Sequence, residues 1–544
     1  MSMFSIGVGG LSAAQNALNT TSNNISNVYT PGYNRELVIL GEARGDGGVR
    51  VNDIQRQFDQ FVAGQLNQST STSKGLEAYQ MQINQIDNLL ADDEAGLAPI
   101  MQKFFSAVQD LANSPSDPAA RQGFLGAADI LSSQFRSFDG FINDMQRGIN
   151  GQVRDEVTQI NALSDQLAAL NKDISLARAR TGDAPLSLLN QRDHLITELS
   201  EHLDLQLNIQ DGKSYNVSLP NGQPLVTGAN AFRLEPVTAP NDPQRIVPGY
   251  RDGSGTLTAL PENMIQGGTL GGLLQVRMDA IDRTQNMLGQ LSVSFAAAIN
   301  AVHQTGVDAE GNPGQPLFAM GTPAAIANRL NTSAVTATAA FDLDAMDNLK
   351  PADYTVRFNA LGEPEVTRKD NGQQLVNGDD FDWDAGSNTL AVGGINVTFS
   401  GPPQNNDRFE LQPVRRAAGE LTNLISDLGA VVTSMPDGGS GDNRVALAMQ
   451  RLQDERTVGG EATFNQAYAA LSSDIGNKTN VVNANMQARQ GLTDQLRAVQ
   501  QSQSGVNLDE EAANLLKFQQ FYAANARVID TASNLFDTIL GLRN

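Results

Sequence analysis

Apolar residues recur along this chain with distinct rhythms, and their order lays out the molecule. Near the N-terminus Leu11, Ala14, Leu18, Thr21, Ile25 and Val28 alternate spacings of three and four. That is the a/d seam of a helix lying along a partner helix. No charged side chain occurs before Arg35, and the other faces carry Ser, Asn, Thr, Gln, Gly and Ala. Such faces are too polar for lipid and lack the charge of a solvated surface. Near the C-terminus Leu508, Leu515, Tyr522, Ile529 and Phe536 recur every seventh residue, with Ala512, Gln519, Ala526, Ser533 and Leu540 between them. Fully buried, each large residue of this seam would contribute roughly 1.5–3 kcal/mol, whereas the helix alone is marginal in water. Asn507 is a good N-cap with Glu510 three residues on, and Asp509, Glu510 and Glu511 suit the positive end of the helix dipole. A chain whose two ends both want helical partners is built to assemble.

The middle changes rhythm repeatedly. The first helix is expected to end near Asn27, because Thr30 precedes a proline. Thr30-Pro31-Gly32-Tyr33 then reads as a type II turn, with proline fixing φ and glycine taking positive φ. Residues 35–58 alternate weakly and read as extended, closing a first segment, 1–58. Residues 59–203 read as a helical stalk broken at Pro99, at Ser114–Pro118 and at Gly182; Ile160, Leu163, Leu167, Leu170, Ile174 and Ala177 hold coiled-coil spacing there. Residues 204–262 form a small β segment, and 263–317 return to helix before a turn cluster over Gly306–Gly314. Residues 318–415 alternate with period two between Gly, Asn and Asp turns, the mark of a β-rich module. Residues 416–505 read as stalk again, with a helix over 416–434 and a glycine-rich linker at Pro436–Gly441. Residues 506–544 form the C-terminal helix. The expected fold class is α+β multidomain: a helical coiled-coil stalk built from both chain termini, with β-rich modules inserted in the middle.

Composition narrows the function. At 544 residues, with 40% hydrophobic content, the chain should hold three or four domains with their own cores. Aromatics are only 6%, with the single tryptophan at Trp383, so packing should rest on Leu, Ile, Val and Ala. A formal charge of -23 argues against nucleic acid, which needs basic clusters. Without cysteine there is no disulfide, thiolate nucleophile or thiolate-held metal. No apolar stretch of about 18 residues occurs, so no membrane insertion is expected. No cleaved signal pattern occurs either, which leaves the cytoplasm or export without cleavage.

Sharper chemical readings fail on spacing. His194, Glu198 and His202 share a helix face but not His-Glu-x-x-His spacing, so a solvated face is expected rather than zinc. Asp380–Gly386 resembles the start of a calcium loop, with glycine at position seven and Ala391 where Glu belongs. Gly7-Val-Gly9-Gly10 follows no strand and lacks dinucleotide spacing. No catalytic residue, metal or cofactor is assigned.

The run Asn23-Asn24-Ile25-Ser26-Asn27-Val28-Tyr29-Thr30-Pro31-Gly32-Tyr33 resembles the signature shared by bacterial flagellar rod, hook and hook-associated proteins, with Ser26 where Ala is common. Val506–Leu542 resembles their C-terminal signature. The cluster Gly306–Phe318 and the helicity over 59–203 resemble the hook–filament junction members; rod and hook proteins turn mainly β after the N-terminal motif. The resemblance implies a non-enzymatic structural subunit, extracellular in the flagellum, exported by the type III route without a cleaved signal peptide. It implies a ring of like subunits, contacts with the hook protein and a second junction protein, and a cytoplasmic export chaperone at the C-terminal region. The candidate assembly residues are then Leu11, Ala14, Leu18, Thr21, Asn23, Asn24, Ile25, Asn27, Val28 and Thr30 to Tyr33 (with Pro31 and Gly32), and the C-terminal seam from Leu508 to Leu540 given above. Rival readings are a hook or distal-rod subunit, a secreted enzyme or carbohydrate-binding adhesin acting through residues 204–415, and a cytoplasmic scaffold. The two seams could also pack only on each other in a monomer.

Overall fold

The computed structural model describes residues 3–43, 47–92, 96–209 and 215–541. Leu542, the end of the C-terminal signature, lies outside them. Helix α1 (Met3–Ser26) is followed by a hairpin of strands Glu36–Glu42 and Val49–Arg56. The stalk then rises through α2 (Gln60–Leu90), α3 (Leu97–Asn113), α4 (Pro118–Thr181) and α5 (Leu186–His202). It continues in α6 (Gly268–Val276) and α7 (Asp282–His303), joined by a π turn over Arg277–Ile281. After the outer module come short α8 (Ala417–Glu420), α9 (Arg444–Arg451), α10 (Phe464–Ser504) and finally α11 (Leu508–Gly541).

Local chemistry sets these boundaries. Asp117 caps α4 by accepting from the Ala119 amide, and Pro118 takes the first helical position. Gly182 ends the same 64-residue helix at φ 87°. Thr463 and Gln466 form a reciprocal capping box on α10. The a/d line of α4 is buried at Ile160, Leu167, Leu170 and Ile174, as its spacing predicts. The break expected at Pro99 instead precedes it: α3 starts at Leu97, and Pro99 sits in the first turn, where no amide partner is needed. The helix expected over 416–434 is reduced to Ala417–Glu420, followed by a two-residue strand pairing with Phe318–Ala319. Its apolar residues Ile425, Val431 and Val432 are buried as irregular chain against the stalk core, so tertiary burial and not helical period explains them.

The stalk core refines the compositional expectation. The few aromatics are concentrated: Phe104, Phe105, Phe124, Phe295, Phe318 and Phe464 form one cluster with ring centroids from 5.2 to 6.2 Å apart. It ties α3, α4, α7 and α10 together. Farther down, α2 and α10 run antiparallel through polar pairs, Ser69 with Thr493 at 2.8 Å and Gln80 with Asn483 at 2.5 Å. There α6 crosses α2 so closely that a Cβ on Gly272 would lie 2.0 Å from the Gly75 carbonyl oxygen.

The strands of the described residues pair antiparallel in every sheet. Residues 204–262 hold two sheets instead of one segment, a four-stranded one over 206–231 and a three-stranded one over 234–259. Within 318–415 two four-stranded sheets pack face to face around Phe358, Phe399 and Phe409. A buried ionic cluster fixes this sandwich to the stalk. Arg245 bonds Asp242 (3.0 Å), Glu262 (3.1 Å) and Asp282, while Arg415 bonds Asp282 (3.2 Å) and Asp353. Burial opposes charge on Asp282, but Arg245 and Arg415 outweigh it and hold the carboxyl at about 2.

His303, at the end of α7, is fully buried and locks the turn cluster after it. Its Nδ1–H donates to the Gln315 carbonyl oxygen at 2.6 Å, and Nε2 accepts from the Val432 amide at 3.0 Å. Burial lowers its pKa to about 4, partly offset by the bond to Gln315. Because the folded value lies below the unfolded value of about 6.5, its contribution is complete above that pH and is lost as pH falls through 4; it amounts to on the order of 3 kcal/mol. In an NMR titration the His303 imidazole should therefore stay neutral until about pH 4. Protonation near 6 would refute the bonding scheme.

Candidate assembly interface

The two ends of the chain meet. Helices α1 and α11 lie antiparallel, with Asn24 beside Glu511 at one end and Gly7 and Gly10 beside Ile529 and Asn525 toward the other. The buried line on α1 is Gly7, Gly10, Ala13, Ala14, Ala17, Thr20, Thr21 and Asn24. A Cβ on Gly10 would fall 2.0 Å from the Asn525 side chain, and one on Gly7 2.7 Å from Ile529. The glycine run near the N-terminus therefore exists to let two helices approach closely, a role its failed match to a nucleotide loop did not suggest. The facing line on α11 includes Glu511, Leu515, Phe518, Asn525 and Ile529, all buried or half-buried.

The contact between the two helices coincides only in part with the seams expected to carry assembly. Of the N-terminal set, Ala14, Thr21 and Asn24 are buried; Leu11, Leu18, Ile25, Asn27, Val28 and Tyr33 are half-buried; Asn23, Thr30, Pro31 and Gly32 are exposed. Of the C-terminal set, only Leu515, Ala526 and Ile529 are half-buried; Leu508, Ala512, Gln519, Tyr522, Ser533, Phe536 and Leu540 are exposed. Small residues make the pairing, because close backbone approach requires them, and many large residues of both helices are left facing out. The exposure is greatest at the free end, where Phe4, Leu535, Phe536 and Ile539 are each at least half exposed. Together with Met3, Ala532 and Ser533 they line an open apolar groove.

At the other end a polar ladder anchors the pair. Asn24 exchanges two 2.9 Å hydrogen bonds with the Glu36 backbone, donates to Glu511 at 3.1 Å and accepts from the Tyr33 hydroxyl at 2.8 Å. Its amide is thus fully used. Arg35 spans Glu510 at 2.7 Å and Glu511 at 2.7 Å. Asn507 caps α11 through the Asp509 amide at 2.9 Å, as expected, while Glu510 turns to Arg35. Burial, then the nearby Glu36 and Glu511 carboxylates, raise the Tyr33 phenol well above its usual value, so it remains a donor.

The Thr30–Tyr33 turn connects this end to the stalk. The Tyr33 amide donates to the Thr30 carbonyl oxygen at 3.2 Å, and Gly32 has φ 74°, as a type II turn demands. Gly32 rests on His194, where a Cβ would come within 2.7 Å of the imidazole-bearing carbon. Asn34 donates to Asn190 at 2.8 Å, and Arg56 pairs with Asp193 at 2.6 Å while lying over Phe58. Asn190 and Asp193 had no signal in the sequence, since their role here depends on Asn34 and Arg56, 134 to 156 residues away. His194, Glu198 and His202 do not converge: His194 faces Glu198 at 3.3 Å and His202 bonds Glu156 at 2.7 Å. Within Asp380–Gly386, Asp384 accepts from the Gly386 amide and Asp380 from the Val376 amide. No helix of the described residues is long and apolar enough to cross a membrane.

Paired helical termini carrying rod-type sequence signatures, with β modules looped out between them, define a structural protein of the flagellar axis. Family profiles described as "Flagella basal body rod protein" and "Flagellar basal body rod FlgEFG protein C-terminal" match residues 4–34 and 500–542. A third, "Flagellar hook-associated protein FlgK helical domain", matches residues 83–318. The chain is 39% identical to flagellar hook-associated protein 1 of Escherichia coli and 38% identical to that of Salmonella typhimurium, in each case over 100% of both chains. It is similar to the solved structure of the flagellar hook junction protein FlgK from Burkholderia pseudomallei, with a TM-score of 0.75 and 25% identity over 81% of this chain and 100% of that one. The chain belongs to the flagellar hook-associated protein 1 family, a family of structural components of the flagellum.

The glycine contact yields a direct test. Gly10→Val should separate α1 from α11 and raise amide exchange across residues 3–26 at least tenfold, leaving the stalk and sandwich protected. Unchanged exchange in α1 would show that the close approach is not needed.

Proposed function

We propose that this chain is a non-catalytic structural subunit at the junction between flagellar hook and filament, assembling through its paired terminal helices. The observation that carries the reading is the outward-facing apolar face of α1 and α11, which their mutual packing leaves uncovered. In a ring of like subunits this face meets neighbouring copies, and the hook protein and second junction protein take its two ends. The predicted residues from Leu11 to Tyr33 and Leu508 to Leu540 supply those contacts or hold them in place. Residues 1–58 and 506–544 form the inner layer, 59–203, 263–317 and 416–505 the stalk, and 204–262 and 318–415 the outer modules. Export through the flagellar type III channel, without a cleaved signal and with a cytoplasmic chaperone on the C-terminal region, suits helices that are marginal until paired. The uncharged surface of α1 suits contacts in which charges would be desolvated.

Two experiments test this. Cells lacking the chain should carry hooks without filaments and shed unattached filament protein into the medium, as seen by electron microscopy; normal filaments would overturn the junction role. Phe536→Asp combined with Tyr522→Asp should leave the stability of the purified protein within about 0.5 kcal/mol, since both side chains are exposed. Yet it should abolish filament attachment in cells. Normal filaments with this double variant would remove α11 from the interface.

A further inference from the structure

The outer sandwich holds a cleft that the junction role does not use. It has a volume of about 390 Å³ and opens at one end of the two sheets, beside the Gly393–Gly394 turn, a size within the range of small-ligand sites. At its floor lies Tyr354, whose side chain belongs to the sandwich core and is only 2% exposed. Its hydroxyl reaches the glycine turn, where a Cβ on Gly393 would lie 2.3 Å from the oxygen. Tyr354 lines the cleft, where its hydroxyl is open to a bound molecule. Burial pushes the phenol up to about 12, so at neutral pH it can both donate and accept. Among the described residues, the buried atom without a partner on this lining is the Arg368 Nε, and a ligand group that accepts from it would recover the cost of leaving it unpaired.

The rim decides the class of ligand. Arg368 donates to Asp370 at 2.6 Å and leaves Nε unused. Asp342 and Asp380 are spent on Asn396 and the Val376 amide, whereas the carboxylates of Asp379 and Asp382 are exposed at the mouth. With Lys350 and Arg368 the only cations on the lining, carboxylates are in excess, which disfavours an anionic ligand. No group of three or more ligating side chains that could hold a metal occurs among the described residues. What remains is a small polar cavity offering both donors and acceptors without a net positive field. Neutral vicinal hydroxyls answer that pattern, because each can donate to a carboxylate and accept from a guanidinium or phenol.

We propose that this cleft binds a neutral saccharide, anchored by the Tyr354 hydroxyl and Arg368. The site faces solvent on the outer module and does not depend on how the termini assemble. The test uses the full-length purified chain with glucose, galactose, mannose and N-acetylglucosamine at millimolar concentration in saturation-transfer NMR. Trp383, the chain's single tryptophan, packs beside Phe358 in the same sandwich and reports its folding by fluorescence. At least one sugar should receive transfer, and Tyr354→Phe should weaken its binding about tenfold, the loss of one hydrogen bond to the ligand. The Trp383 emission should be unchanged in that variant; should it shift, Arg368→Gln at the rim provides the same reading without touching the core. Absence of transfer to all four sugars, or transfer undiminished in both variants, would overturn the proposal.

Discussion

The pairing of Arg35 with Glu511 ties the two ends of this chain together, and the arrangement of the terminal helices is built on it. The residues stand 476 positions apart, and Glu511 is almost wholly buried. A buried carboxylate is tolerable only with its partners in place, and here the guanidinium of Arg35 and the amide of Asn24 supply them. Both partners lie in or next to the Asn-rich motif that closes α1. The motif thus does three jobs at one point: it ends a helix, turns the chain onto the stalk through Gly32 and His194, and neutralises the start of the last helix.

Given that anchor, the rest of the terminal pair follows from size. Glycine, alanine and threonine on α1 allow α11 to lie close, so contact area between the helices is spent on backbone approach and not on large side chains. Phe536, Ile539 and their neighbours consequently remain outside the pair. A protein that leaves such side chains exposed is prone to associate, and the proposed assembly role rests on that. The stalk and sandwich play the opposite part. The phenylalanine cluster and the Arg245–Asp282–Arg415 joint bury their interactions within one subunit.

How much of this was legible beforehand depended on the range of the interactions. Local signals were read well: the turn at Gly32, the cap at Asn507, the stop at Gly182 and the α4 seam. Helical segments with long periodic runs, and strands between glycine turns, were also recognisable. The helix expected over 416–434 failed because its apolar residues are buried by distant neighbours in an irregular path. The contact between the terminal helices was not legible, because periodicity draws attention to large residues, whereas the helices meet on small ones. Residues such as Asn190, Asp193, Arg245 and Asp353 acquire meaning only from partners far away in the chain, and no spacing rule points to them.

The central claim is that the chain ends are coupled through Arg35 and Glu511. A double-mutant cycle measures it directly: Arg35→Ala, Glu511→Ala and the combination, with the opening free energy of α1 read by amide exchange. The account predicts that each single change lowers that free energy by about 3 kcal/mol, as for a broken buried pair. The double variant should lose little more than either single, giving a coupling above about 1.5 kcal/mol. Single effects that add to within about 0.5 kcal/mol would mean that the two residues act independently and that something else holds the ends together.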